Sequence, residues 1–171
     1  MNKRNKVNIK KITVYGMITA LAVVLSWLEA QIPPFFPIPG MKIGLTNIIV
    51  IIALYKMGSG SAMAVNVLRI VLVSFLFGGP SALLYSLSGG MLSTLVMILF
   101  KKTGKLKTVS VSIAGGIFHN VGQIIIAMLM MNTTGIMWYL AVLWFSGAVS
   151  GTLIGILGNI IVRRLPDKLF E

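Results

Sequence analysis

Long apolar runs without charged residues dominate the chain. Residues 12–28 and 70–100 contain no Asp, Glu, Lys or Arg, and neither does 108–162, where His119 is the single histidine. A bilayer core about 30 Å thick needs roughly 20 helical residues, so these runs predict membrane-spanning helices. Pro and Gly positions and short basic segments divide them. Six predicted helices result, at about 12–31, 43–57, 60–77, 80–100, 108–131 and 136–162.

Composition agrees with an all-α integral membrane protein. Of the 171 residues 57% are hydrophobic, and the mean hydropathy is +0.95, more apolar surface than a globule of this size can bury. The absence of cysteine excludes a disulfide scaffold and a thiolate site. The basic start followed by an apolar run resembles a signal peptide, but it lacks a small-residue cleavage site, so we expect the first helix to be retained.

The distribution of basic residues predicts the topology. The formal net charge of +12 could indicate nucleic acid binding, but the cations form short clusters between apolar runs, which favours lipid headgroups as their partners. With both termini in the cytoplasm, every Lys and Arg except Lys42 and Arg69 lies on the inner side. We therefore expect a multi-pass protein of the bacterial cytoplasmic membrane. Its predicted parts are a basic N-terminus (1–11), one six-helix membrane domain (12–162) and a basic tail (163–171).

Several polar side chains fall at membrane depth. A charged group there costs at least about 2.5–3.5 kcal/mol on insertion scales, so Arg69 in the third predicted helix requires a partner or a water-filled pocket. Asn66 lies three residues earlier on nearly the same face. Glu29 is the acidic residue available to Arg69 within the membrane, and two readings stay open: a structural ion pair or two ligand-binding groups.

Further polar side chains are spaced so that they share helix faces. On the fifth predicted helix the stripe is Ser112, Gly116, His119, Asn120 and Gln123, and on the fourth it is Ser81, Tyr85 and Ser88. With Asn47 and Lys42 these predict a polar pocket open to the outer surface beneath the proline-rich segment 32–40. The competing reading is that such residues hold helices together, which we expect for Asn66 and Ser112, and a lone histidine is often a satisfied core residue.

Small residues predict close helix contacts. Gly147, Gly151 and Gly155 are spaced by four on the sixth predicted helix, which predicts a tight crossing, most simply within the chain. Gly16 and Ala20 form a similar pair on the first predicted helix and could meet a partner.

Four segments together resemble one family: Pro33 to Asn47, Arg69 in its helix, Ser86-Leu-Ser-Gly-Gly90, and Phe118-His-Asn-Val-Gly-Gln123. It is the Gx transporter family, also labelled heptaprenyl diphosphate synthase component I, which is similar to the S components of energy-coupling factor importers. The resemblance implies a six-helix bundle that holds a small molecule near the outer surface. It also implies docking through Gly16 and Ala20 to a transmembrane coupling protein driven by two ATPase subunits.

Other features exclude several activities. Prenyl transfer requires Mg²⁺ held by clustered carboxylates, and the chain has three acidic residues, none clustered. It has no Walker phosphate loop and no buried Asp to orient a Ser-His pair. We therefore expect a non-enzymatic, cofactor-free subunit. The predicted function is substrate binding for an energy-coupling factor importer of a small vitamin-like or isoprenoid-related molecule. The alternatives are a non-catalytic membrane subunit of polyprenyl diphosphate or quinone metabolism and a stand-alone channel.

The candidate substrate-binding residues are Glu29, Lys42, Asn47, Arg69, Tyr85, Ser88, His119, Asn120 and Gln123.

Overall fold

The computed structural model describes residues 9–31 and 44–170. The elements, in chain order, are α1 (Ile9–Gln31), α2 (Asn47–Ile52) continuing as a π-helical turn (Ala53–Met57), α3 (Ser59–Phe77), α4 (Pro80–Lys102), α5 (Thr108–Met131), a 3₁₀ turn (Gly135–Trp138), α6 (Tyr139–Arg164) and a 3₁₀ turn (Asp167–Leu169). The prediction of a helical bundle is confirmed. Lys42, the whole proline-rich segment 32–40 and the first eight residues lie outside the described residues.

Within the described ranges, five helices are long and apolar enough to cross a membrane, namely α1, α3, α4, α5 and the segment Gly135–Arg164 that contains α6. Their bounds lie within three residues of the predicted ones at both ends. Large apolar side chains such as Phe75 and Phe145 are 80% and 73% exposed. In water such exposure would be unfavourable, whereas lipid accepts these surfaces. The chain is therefore a multi-pass membrane protein.

The second predicted helix differs most from expectation. In place of a continuous helix over 43–57, the described part contains six α-helical residues followed by five π-helical ones. Together they rise about 16 Å, roughly half of a bilayer core. Every side chain from Ile49 to Leu54 is buried, so this element is apolar all round because protein surrounds it. Among the described residues there are thus five helices long enough to cross a membrane and one shorter buried helix, and the count of six spans stays a prediction.

The long helices pack in sequence around this short one. α5 lies between α4 and α6, α3 contacts α4, and α1 packs chiefly against α3. α2 contacts α6 and α3, and Ile51 and Leu54 are fully buried in the central apolar cluster. Gly58 has a φ of +97° between α2 and α3, a left-handed conformation that glycine adopts easily and that lets α3 start directly after the π-helical turn.

The predicted tight crossing of the sixth helix is confirmed, and its partner is α5. A side chain added at Gly147 would lie 2.7 Å from the carbonyl oxygen of Gly116, and one at Gly151 would lie 2.8 Å from Cα of Ile113. At Gly155 the nearest atom would be Cβ of Ser112, also at 2.8 Å. Glycines at these positions therefore let the backbones of α5 and α6 come into contact.

Basic residues gather at one end of the bundle. Lys10 at the start of α1 donates to the carbonyl oxygen of Lys168 at 2.7 Å, and Lys56 pairs with Asp167 at 2.6 Å. Lys101, near the end of α4, donates to the carbonyl oxygen of Leu54 at 2.6 Å and lies 4.9 Å from the centre of the Tyr55 ring. The start of α1 and the ends of α2, α4 and α6 therefore share one end, as the alternating helix order requires.

Candidate functional site

A cavity of about 230 Å³ lies towards the end of the bundle opposite to the basic residues. It is enclosed by the end of α1, residues 44–47, the second half of α3, the start of α4 and the middle of α5, with Ser150 of α6 at its back. Six of the predicted binding residues line it together: Glu29, Asn47, Arg69, His119, Asn120 and Gln123. These residues belong to α1, α2, α3 and α5, so helix packing brings together positions up to 94 residues apart in the sequence.

Arg69 enters the cavity from α3 and is held by Asn66, one turn earlier. A terminal nitrogen of the guanidinium donates to Oδ1 of Asn66. The amide nitrogen of Asn66 donates across to α4, to the carbonyl oxygen of Gly90 at 3.0 Å and to the hydroxyl of Thr94 at 2.8 Å. Asn66 therefore makes three hydrogen bonds, one with Arg69 and two with α4, and it serves helix packing as expected. Nε of Arg69 is buried and has no hydrogen-bond partner among the described residues.

Glu29 lines the same cavity from the end of α1 but does not form a direct ion pair with Arg69. Oε1 of Glu29 accepts a hydrogen bond from the backbone N–H of Gly44, at the start of the segment that leads into α2. Its charge still attracts the guanidinium through space. In the described ranges the single ion pair is Lys56–Asp167, so the direct Arg69–Glu29 pair considered from the sequence is not formed.

Gln123 and His119 project from α5 into the cavity. A side chain added at Gly89 of α4 would lie 2.9 Å from Cγ of Gln123 and 2.7 Å from the carbonyl oxygen of His119, so the bare glycine lets α5 approach and leaves room for both side chains. Oε1 of Gln123 is buried and accepts no hydrogen bond from the described part of the chain. Two residues that line the cavity therefore each carry a buried polar atom without a partner in the described part of the chain, the acceptor Oε1 of Gln123 and the donor Nε of Arg69.

Asn120 also lines the cavity, but its amide serves helix packing. The amide nitrogen donates to the carbonyl oxygen of Leu143 on α6 at 2.6 Å. Ser112, deeper on the same stripe, is buried against Gly155 at the α5–α6 crossing, as expected for a packing residue. The predicted stripe on α5 therefore has two roles. His119, Asn120 and Gln123 line the cavity, whereas Ser112 packs against α6.

The polar stripe predicted on α4 does not face the cavity. Tyr85 and Ser88 are not among the lining residues, and the hydroxyl of Ser88 donates to the carbonyl oxygen of Gly122 at 2.7 Å. The cavity side of α4 carries Ala82 and Ser86 instead, because Gly89 and Gly90 must face α5 and α3. The adjacent glycines were a weak indication of this orientation. Lys42, a further candidate, lies outside the described residues.

Sequence reasoning missed several lining residues. The polar ones are Thr46, Ser74, Ser86 and Ser150, whereas Ser26 lies on the side of α1 that was expected, with Glu29, to face the pocket. Ser26 lies one turn before Glu29, and its hydroxyl is 2.9 Å from that of Thr46, which ties α1 to the start of α2. Ile70, Val73 and Phe77 of α3 add an apolar wall. Serines are common in membrane helices as packing residues, so composition alone did not single these out.

The outer face of α1 carries the predicted docking pair. Gly16 and Ala20 are both exposed, and a side chain added at Gly16 would meet no atom within 4 Å. Buried positions on α1 lie on other faces, at Thr19 and Ala22. Space for a further helix therefore exists beside Gly16 in the described part of the chain.

In the described ranges no group of three or more His, Cys, Asp or Glu side chains comes together.

Comparison with known proteins gives one family. The sequence profile described as heptaprenyl diphosphate synthase component I matches residues 18–161, from within α1 to within the last turn of α6. The comparison with curated proteins gives no match.

Proposed function

The chain belongs to the heptaprenyl diphosphate synthase component I family, and we propose that within it this protein is the substrate-binding membrane subunit of an energy-coupling factor importer. In this role it captures a small vitamin-like or isoprenoid-related molecule in the cavity between α1, α3, α4 and α5. Partner subunits then supply the energy for import. The basic end of the bundle faces the cytoplasm, so that the cavity lies towards the outer surface.

The observation that carries the proposal is a pair of unsatisfied buried polar atoms on two residues that line the cavity. Nε of Arg69 and Oε1 of Gln123 are buried and lack hydrogen-bond partners in the described part of the chain. An unsatisfied buried polar group costs about 1–3 kcal/mol, and more if it is charged. A residue used only for packing would be expected to satisfy its polar atoms within the protein. Two such atoms on residues that line one cavity support binding of a ligand that satisfies them.

The partners in this proposal follow from what the chain lacks and from one exposed face. The sequence contains no Walker phosphate loop, so ATP hydrolysis must come from other subunits. We assign two ATPase subunits and a transmembrane coupling protein to this task. The exposed Gly16 and Ala20 on α1 offer the coupling protein a surface where backbones can approach closely.

The family description favours a second candidate, a non-catalytic membrane subunit that works beside a polyprenyl diphosphate synthase. Catalysis by this chain itself is unsupported, because Glu29 bonds to Gly44 and Asp167 pairs with Lys56 at the other end. Mg²⁺-dependent prenyl transfer needs carboxylates placed together. The channel alternative receives less support, because the polar lining groups are confined to one part of the bundle.

The two candidates differ in the proteins and small molecules that accompany the chain. The full-length protein is purified from native membranes in mild detergent, and the complex is analysed by native mass spectrometry with identification of copurifying proteins. We expect a non-covalent small molecule, two ATPase subunits and a further membrane protein. Copurification of a prenyl-transferring enzyme without ATPase subunits would support the second candidate and overturn the first.

A further inference from the structure

The charges that line the cavity are balanced. Among the described lining residues, Arg69 supplies one positive charge and Glu29 supplies one negative charge. A purely anionic ligand would add a negative charge to a cavity that already contains Glu29, in a region of low dielectric. A like charge at short range in such a region is strongly unfavourable.

Both charged groups nevertheless remain available to a ligand. They do not form a direct ion pair, and each uses its protein hydrogen bond elsewhere: Arg69 on Asn66, and Oε1 of Glu29 on the N–H of Gly44. The guanidinium keeps its Nε donor unused within the described ranges. Separate anchoring of this kind holds opposite charges apart across a cavity, where a ligand with two poles can lie between them.

The hydrogen-bonding groups have the same two-sided character. Nε of Arg69 can only donate, and Oε1 of Gln123 can only accept. A ligand that satisfies both must offer an acceptor to α3 and a donor to α5. A carboxylate or phosphate alone offers acceptors only, and would leave Oε1 of Gln123 buried and unsatisfied.

Resting on the proposed function and refining it, we propose that the cavity takes a small zwitterion. Its anionic oxygen accepts from Nε of Arg69. Its cationic amine donates to Oε1 of Gln123 and is balanced by the carboxylate of Glu29. The apolar body of the ligand packs on the wall formed by Ile70, Val73 and Phe77.

Matched probes test the charge class directly. Thermal unfolding of the detergent-purified full-length protein is measured with two triads, each built on one apolar body: phenylalanine, hydrocinnamate and phenethylamine, and leucine, isocaproate and isoamylamine. Within each triad the members are a zwitterion, an anion and a cation. We expect the zwitterion of at least one triad to raise the unfolding midpoint by at least twice as much as its anion and cation. Equal shifts, a larger shift with an anion, or no shift in either triad would overturn the zwitterion assignment.

A charge-removing variant identifies the group that recognises the amine. Glu29→Gln keeps an oxygen that accepts from the Gly44 N–H, so the start of α2 stays anchored while the negative charge is lost. We expect the affinity for the best zwitterion to fall about tenfold or more and its advantage over the anion to disappear. The control is Thr152→Ala on α6, whose hydroxyl bonds to the carbonyl oxygen of Ala148 away from the cavity. An unchanged preference in Glu29→Gln would overturn the proposed pairing.

Failure of this inference is distinguishable from failure of the proposed function. A carried-over anion in native mass spectrometry, with ATPase subunits present, would overturn the zwitterion and leave the importer subunit standing. Absence of any carried-over molecule together with absence of ATPase subunits would overturn the importer subunit itself.

Discussion

Asn66 accepts a hydrogen bond from the guanidinium of Arg69 while its own amide nitrogen bonds to Gly90 and Thr94 on the neighbouring helix. The bonds to α4 fix the orientation of the amide, so its oxygen is the atom left to face Arg69. The arginine is therefore positioned by α4 although it belongs to α3. The orientation of its guanidinium is set by this contact and does not depend on a ligand.

Arg69→Ala is expected to lower ligand affinity by about tenfold to a hundredfold, because a charge-assisted hydrogen bond at a buried site is lost. Arg69→Lys should restore only part of that affinity, since an ammonium cannot bond to Asn66 and the ligand with the fixed planar geometry of a guanidinium. Affinity is measured by calorimetry with the molecule identified by mass spectrometry. Unchanged affinity with a lower unfolding temperature in Arg69→Ala would assign the arginine to structure alone.

Gly151→Val is expected to destabilise the protein by about 1–3 kcal/mol or to prevent folding, because the added side chain would lie 2.8 Å from backbone atoms of Ser112 and Ile113. Backbone cannot move aside as a flexible side chain can. The matched control is Gly60→Ala in the first turn of α3, where an added Cβ meets nothing within 4 Å. Thermal unfolding in detergent measures both. Equal stability of the two variants would contradict the tight α5–α6 crossing.

Replacement of both Gly16 and Ala20 by Leu should leave ligand binding near normal but abolish uptake, because bulk on the exposed face of α1 blocks a partner without reaching the cavity. Binding is measured on the purified subunit and uptake in cells that carry the partner subunits. Uptake that survives the double change, with partners still copurifying, would remove this face from the proposal.

Asp167→Asn is expected to change the free energy of unfolding by less than about 1 kcal/mol, although Asp167 lies 2.6 Å from Lys56. The aspartate side chain is 79% exposed, so water screens the pair. Chemical or thermal unfolding at low and high salt measures the effect. A loss well above 1 kcal/mol would show that the basic end of the bundle depends on this contact.

Sequence patterns located the long helices well, because lipid imposes a length and a polarity that composition reveals directly. The bounds of α3, α4 and α5 follow from Gly58, Pro80 and Asn132, which interrupt or end helices for local reasons. A helix at 43–57 was predicted, but its burial by protein on all sides was not, because an apolar run looks the same whether lipid or protein surrounds it. Burial of Ile49 to Leu54 depends on helices that are distant in sequence.

The site was predicted in part for a similar reason. Charged and amide side chains such as Arg69 and Gln123 are energetically costly at membrane depth, so they can be recognised as site candidates from the sequence without knowing how the helices pack. Which face of α4 lines the cavity depends on how closely α4 and α5 approach at Gly89. The sequence did not show this approach, so it did not show that Ser86 and not Ser88 lines the cavity. Serines in the lining carried no comparable signal.

The half-length α2 has a consequence for synthesis of the protein in the cell. Ile51 packs beside Gly158 of α6, and Ile154 and Val162 of α6 belong to the same apolar cluster. Ribosomes deliver residues 47–57 to the membrane long before α6 exists, and a helix of about 16 Å cannot span the bilayer unaided. The α6 surface that buries α2 is present only after the last helix has inserted. The nascent chain must therefore shelter an incomplete segment through most of its production, and a chain that stops after α5 should be recognised and degraded as unfinished.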